Sequence, residues 1–169
     1  MGRRGLLGMP VLLAFGTLRW AQDGTIELGA KSPNTDQRRA NMYFVDDHLV
    51  TDAVFHDRKL PATLDSGAET TDLYSRFAEV FDSVLRESVT RSVTEGTGVA
   101  GTESFDSITL PELQIRIGDL DTRLHPARVL LKQIGPERCV GNLGLDLLKQ
   151  ADWFKIDFDA MTLELHGKS

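Results

Sequence analysis

The chain holds one cysteine, Cys139, in 169 residues, so no disulfide can form within it. The same scarcity rules out a zinc site built on two or more thiolates of one chain. The four histidines (His48, His56, His125 and His166) show no H-x-x-x-H spacing, which removes a helical zinc site. Basic charge is short as well: 19 Lys+Arg stand against 25 Asp+Glu, a net charge of −6. Binding nucleic acid needs a basic patch, so that role is disfavoured. The pair Arg38-Arg39 and the stretch Met1 to Arg4 are too short to supply one. A membrane span is missing too. The longest apolar stretch, Gly5 to Leu18, has 14 residues and is broken by Gly8, Pro10 and Gly16, against the roughly 20 that a spanning helix needs. Met1-Gly2-Arg3-Arg4 before that run, with Ala14-Phe15-Gly16 after it, has the outline of an export signal. Gly8 and Pro10 weigh against that reading, and the sequence points to no compartment.

What is present is ordinary globular composition, 41% apolar and 26% charged. The length suits one domain with a core that needs no staples. Residues 30–41 carry no apolar period and read as a linker. Beyond them short strands are expected at His48–Phe55, Leu60–Leu64, Leu113–Ile117, Leu124–Leu131 and Phe154–Phe158, with Asp57-Arg58-Lys59 as a turn. Asp72 to Val89 predicts the longest helix. Its residues Leu73, Phe77, Val80, Phe81, Val84 and Leu85 form one stripe, which a core-packed helix explains. Ser92 to Leu110 reads as a β-hairpin with a glycine-rich tip at Gly96, Gly98 and Gly101. A short helix is expected over Asp146–Ala151. Many short strands and few helices give a mainly β fold, a small barrel or sandwich.

The two ends of the chain resemble one another. An offset of 136 aligns Gly5, Leu7, Gly8 and Leu12 with Gly141, Leu143, Gly144 and Leu148. One residue of slippage then aligns Thr25-Ile26-Glu27-Leu28 with Thr162-Leu163-Glu164-Leu165. Residues 1–29 therefore read as the tail of a preceding lobe of the same fold, which expects a natural protein that is longer or has shed most of one lobe. The plainer alternative is an N-terminal amphipathic extension. Residues 6–15 are expected to be partly helical and Thr25–Leu28 to form a strand.

The chemistry-bearing stretch is Leu64-Asp65-Ser66-Gly67-Ala68-Glu69-Thr70-Thr71, between an apolar strand and a helix. A glycine-rich hairpin follows about 30 residues later, and Asn142-Leu143-Gly144-Leu145-Asp146 about 75 residues later. In that order these motifs resemble the retropepsin-like aspartic proteases, and more narrowly their bacterial members. The first matches the catalytic loop, apolar-Asp-[Thr/Ser]-Gly-Ala. The second matches the flap, and the third the apolar-apolar-Gly-x-Asp loop, with Asn142 in place of an apolar residue. The resemblance covers residues 42–166. It implies a retropepsin-like closed or half barrel of short strands, with one longer helix and one short C-terminal helix. It implies Asp65 as catalytic and Ser66, Gly67 and Ala68 as loop support. Glu69, Gly96 and Gly98 would meet the peptide substrate. No metal or cofactor is implied.

Such chemistry needs two carboxylates sharing one proton, because like charges about 3 Å apart cannot both ionise. This chain holds one clear Asp-Ser-Gly. The second carboxylate would come from a homodimer, as in retroviral proteases, or from a fused upstream lobe. The function expected is an aspartic endopeptidase. The competing readings are a catalytically silent module of the same fold, used for binding or dimerisation, and an inert fragment. For Asp65 the plain alternative is a turn residue. Asp146 reads as a helix N-cap, Cys139 as a small buried apolar residue, His48 and His56 as strand-surface residues, and Asp46-Asp47-His48 as a solvated turn.

Overall fold

The computed structural model describes residues 8–29, 39–82, 90–98 and 101–167; for 94–98 and 101–103 it is the backbone that is described. The chain opens with helix α1 (Met9–Phe15) and strands β1 (Thr17–Ala21) and β2 (Ile26–Leu28). Then come β3 (Met42–Val45), β4 (His48–Phe55), β5 (Arg58–Leu64), β6 (Asp72–Leu73) and helix α2 (Ser75–Val80). Next are β7 (Thr90–Gly98), β8 (Gly101–Leu110), β9 (Leu113–Ile117), β10 (Leu120–Leu124), β11 (Ala127–Leu130) and β12 (Gly141–Leu143). The chain closes with helix α3 (Leu145–Leu148) and strands β13 (Trp153–Asp157) and β14 (Thr162–His166). Two sheets result. The larger runs β10-β9-β4-β5-β12-β6-β11-β8-β7 with β3 on β4, and the smaller runs β14-β13-β1-β2. The mainly β expectation holds. Among the described residues no helix is long and apolar enough to cross a membrane.

Period-two patterning drives the strands. Leu113, Ile115 and Ile117 of β9 are buried, while Gln114 and Arg116 face solvent. Strand β4 buries Val50, Ala53 and Phe55. Its two hairpins close through two-residue turns. Asp46, His56 and Asp57 there take φ of 50°, 45° and 64°, the left-handed conformation that matches strand twist. The second turn is thus His56-Asp57, one residue earlier than expected, and Arg58 and Lys59 belong to β5. His56 leaves the strand and sits against the Phe81 ring, 5.6 Å between centroids.

The expected helix over Asp72–Val89 is shortened at its start. Asp72 and Leu73 form β6 instead, pairing parallel with β11 and antiparallel with β12. That gives their backbone groups a ladder on both sides, which outweighs helical periodicity. Residues 83–89 lie outside the described residues. Where α2 is described, its stripe behaves as expected. Phe77 and Phe81 are buried and their rings lie 4.7 Å apart, with Phe55 at 5.6 Å from Phe77. The expected strand Leu124–Leu131 is two strands, β10 and β11, split at Pro126, which has no N–H for a ladder.

The terminal sheet is symmetric. β1 pairs antiparallel with β13, placing Arg19 opposite Lys155, Leu18 opposite Ile156 and Trp20 opposite Phe154. An offset of 136 carries Thr17–Ala21 onto Trp153–Asp157, and an offset of 137 carries Ile26–Leu28 onto Leu163–Leu165. The slippage therefore falls in the turn after β13. Each unit opens with a glycine N-cap, Gly8 for α1 and Gly144 for α3. Arg19 and Lys155 are equivalent by the same offset (19 + 136 = 155), so a local two-fold axis passes between them.

Replacing Phe77 by Ala removes the centre of the aromatic cluster. It is expected to lower unfolding free energy by about 3–5 kcal/mol. The exposed Val93→Ala should stay within about 0.5 kcal/mol of wild type in the same urea titration.

Candidate active site

Strand β5 delivers Asp65 to an exposed position at its end, where the chain turns through Ser66-Gly67. The Gly67 N–H donates to Asp65 Oδ1 at 2.8 Å and the Ala68 N–H to the Asp65 carbonyl at 3.2 Å. Such a turn folds the carboxylate back over its own amides. A Cβ on Gly67 would lie 3.1 Å from Asp65 Oδ1, tighter than an ordinary contact, so the carboxylate would have to give by a few tenths of an ångström. The other carboxylate oxygen, Oδ2, accepts from Asn142 Nδ2 at 3.4 Å.

The Gly144 loop lies beside the Asp65 loop, as the motif order anticipates. β12 runs parallel to β5, with Asn142 opposite Thr63 and Leu143 opposite Leu64. Two backbone bonds join the loops. Asp65 N donates to the Leu143 carbonyl (3.0 Å) and Leu145 N to the Ala68 carbonyl (2.9 Å). A Cβ on Gly144 would come within 2.7 Å of Thr70 backbone atoms, so only glycine permits the approach. Thr71 and Asp146 complete the crossing. Asp146 accepts from the Thr71 N–H (2.9 Å) and the Thr71 hydroxyl (2.6 Å), while that hydroxyl accepts from the Gly144 N–H (2.9 Å). Asp146 is thus not the N-cap of α3. Gly144 takes that position, and the Asp146 side chain bonds the Leu147 N–H and the neighbouring loop.

Several participants were not read as such from the sequence. Asn142 stood out only as a departure from an apolar pattern. The structure places its Oδ1 at 2.7 Å from the Thr63 hydroxyl, which donates to it, and its amide on Asp65. A polar residue at an apolar position beside Gly-x-Asp was the available signal. Thr71 closes the Asp65-to-Thr71 motif stretch, which was its signal, but the sequence attaches no role to it. Arg128, paired with Asp72 and also donating to the Thr70 hydroxyl at 3.4 Å, holds the far end of the loop. Tyr74 lies in a small cluster with Leu130 and with Phe105, midway along β8. Burial first, then Asp72, Cys139 and Asp65, push its hydroxyl up to about 12 against a hydrogen bond to Thr63 that lowers it.

The remaining site candidates are distributed as follows. Ser66 is half-buried, and its hydroxyl has no partner among the described residues. Glu69 is exposed and, with Asp65, Ser66 and Gly67, lines a groove of about 580 Å³. The opposite wall comes from Met9, Leu12 and Trp20 of the α1–β1 unit. Gly96 and Gly98 lie in β7, paired with Glu103 and Gly101 of β8; the tip residues 99–100 are outside the described residues. Cys139 is buried as expected, and burial raises its thiol to about 11.

No protein-family model matches the chain, and no curated protein does. Solved structures do. A retropepsin-like aspartic protease from Rickettsia conorii is similar at TM-score 0.50 and 24% identity, over 70% of this chain and 83% of that one. The EIAV protease, solved with the inhibitor HBY-793, has TM-score 0.42 and 20% identity over 62% of this chain and 88% of its own. The retroviral protease-like domain of Ddi1 from Leishmania major has TM-score 0.46 and 18% identity, over 70% and 87%. The likeness to the Rickettsia structure is one of fold: the body of the chain is a retropepsin-like β unit.

Two measurements probe this site. Thr71→Val keeps the shape and removes the hydroxyl that joins Gly144 to Asp146; it should cost about 1–3 kcal/mol in urea denaturation. Alkaline titration reports the raised groups, which include Tyr43, pushed up to about 12 by partial burial and then the Asp52 carboxylate. Unfolded, the Cys139 thiol and Tyr74 hydroxyl release protons near 9.0 and 10.0, but the fold holds them to about 11 and 12. Raised folded values mean stability present below about pH 9 and lost as pH climbs through 11 and 12. Urea titrations across that range should show the decline, and Tyr74→Phe should reduce its upper part, with Tyr43 accounting for what remains there.

Proposed function

We propose that the chain supplies one catalytic half of an aspartic endopeptidase, with Asp65 as its member of a carboxylate dyad. The observation that carries this reading is the exposed Asp65 carboxylate. It is held by the Gly67 and Asn142 amides in a loop crossed by the Gly144 loop, within a retropepsin-like fold. The second carboxylate comes from another lobe or subunit.

In that assembly a water lies between the two carboxylates, which share one proton. The ionised one removes a proton as the water oxygen attacks the peptide carbonyl carbon. The protonated one gives its proton to the carbonyl oxygen. The tetrahedral intermediate then collapses: the carboxylic acid that took the water proton gives it to the leaving nitrogen as the C–N bond breaks. The ionised carboxylate takes a proton from one hydroxyl of the intermediate, so the dyad again holds one proton. Ser66 and Ala68 support the loop. The β7–β8 hairpin acts as the flap, with Gly96 and Gly98 and the side chain of Glu69 meeting an extended substrate by strand addition. A second reading, a silent binding module of the same fold, is favoured by one feature: β1 already occupies the edge of β13. A partner's terminal strand would need that edge.

The test is peptide cleavage from acidic to mildly alkaline pH, with mass by light scattering. Asp65→Asn is expected to reduce kcat/KM by about a thousandfold or more and to shift stability by under about 0.5 kcal/mol. Cleavage should favour acidic pH, because the dyad must keep one proton. Unchanged cleavage in the variant would overturn the aspartic mechanism. A preparation that contains two facing lobes and cleaves nothing would uphold the binding-module reading.

A further inference from the structure

We propose that the outer face of α1 and the edge strand β2 form a docking surface for a second lobe of this same architecture, joined ahead of α1. This rests on the aspartic-lobe reading above and names where the second carboxylate is held. The chain itself carries the template. Across the local two-fold at Arg19 and Lys155, the unit α3–β13–β14 repeats α1–β1–β2, and it is seated on the body of the lobe. Leu147, Ala151 and Leu163 of that unit are 0%, 1% and 3% exposed. Their equivalents by the offsets of 136 and 137, Val11, Phe15 and Ile26, are 43%, 43% and 50% exposed. Five of the ten large apolar side chains exposed among the described residues fall in α1 and β2, including Leu13 and Leu28. A patch of that kind marks a contact surface.

The edge of β2 tells the same story in hydrogen bonds. Leu163, the equivalent of Ile26, is clamped by the body of the lobe. Asn41 Nδ2 donates to the Leu163 carbonyl at 2.8 Å, and the Leu163 N–H donates to Asn41 Oδ1 at 2.7 Å. No described side chain does this for Ile26. The occupant is therefore a lobe body that covers apolar α1 and offers a side-chain amide to Ile26. The repeat also gives its place in the chain. The body precedes α3 in sequence, so the equivalent body precedes α1. Seated there, its own Asp-bearing loop enters the groove between Asp65 and Met9, Leu12 and Trp20. A second full copy of this chain does not fit through the seam, because β1 already pairs with β13.

The experiment uses the full chain and a tandem in which a copy of residues 39–136 is joined directly to Met1, which keeps the 136-residue offset. Val11→Cys is placed in both, and maleimide labelling is followed; Cys139 is buried and adds little background. In the chain alone Val11→Cys should label quickly. In the tandem labelling should slow by about tenfold or more, as for a group reached only through opening. Ile26→Asp in the tandem should restore fast labelling. Equal labelling in chain and tandem overturns the proposal, whether the copy is folded or not. So does protection of Val11→Cys in the chain alone as a dimer by light scattering, which would make a second copy the occupant. Peptide cleavage by the tandem is read separately. Protection without cleavage leaves the docking surface standing and removes the peptidase reading.

Discussion

Asp146 and Thr71 join two loops that lie 75 residues apart in sequence, and the site depends on that join. Its strength comes from saturation. The carboxylate accepts from a backbone N–H and a hydroxyl of one loop and from the Leu147 N–H of the other, and the hydroxyl accepts from Gly144. Charge-assisted bonds of this kind are stronger than neutral ones, and a network with every member satisfied holds one geometry. Gly144 makes the close approach sterically possible, and Asp146 makes it favourable. Once the loops are crossed, β12 lies parallel on β5, and Asn142 is carried to Asp65.

The same crossing directs the C-terminal unit. α3 starts at the crossed glycine, and its Leu147 and Leu148 go into the core. β13 then emerges at the margin of the lobe, where it meets β1. That seam mixes packing with charge. Trp20 lies 5.9 Å from Phe154, Arg19 stands over Trp153 at 4.9 Å and Lys149 over Trp20 at 5.5 Å. Lys155, almost fully buried, faces Asp157 at 3.4 Å. Both members of that ion pair belong to β13, so it holds whatever the register. The register of β1 on β13 is set by the cross-strand apolar pairs, Leu18 on Ile156 and Trp20 on Phe154, and the local two-fold follows from it.

The two halves of the terminal sheet are equal in backbone and unequal in burial. One half has a lobe body beneath it, and the other presents its apolar side chains to the groove and to solvent. Asp65 stands at that boundary. Its loop is rigidly supported from its own side, while the Ser66 hydroxyl points to no partner among the described residues. A reaction that divides acid and base roles between two carboxylates requires the other side to be filled. The proposed chemistry and the proposed docking surface are thus two consequences of one geometric asymmetry.

Local signals in the sequence determined much of this. Alternation marked β4, β9 and β13, the Asp-Ser-Gly-Ala turn marked the candidate site, and the G-x-L-G repeat marked α1 and α3, because each depends on near neighbours or on motif order. Tertiary structure decided what local signals cannot encode. Asp72 and Leu73 became a strand because β11 and β12 offered ladders from more than 50 residues away. Asp146 left its expected capping role because Thr71 supplied better donors across the crossing. Asn142 gained a role only when parallel pairing set it beside Asp65. The pairing of β1 with β13, and the exposed face it leaves on α1 and β2, likewise exists only in three dimensions. Backbone ladders and carboxylate networks choose partners by proximity in space, and sequence periodicity carries no record of that choice.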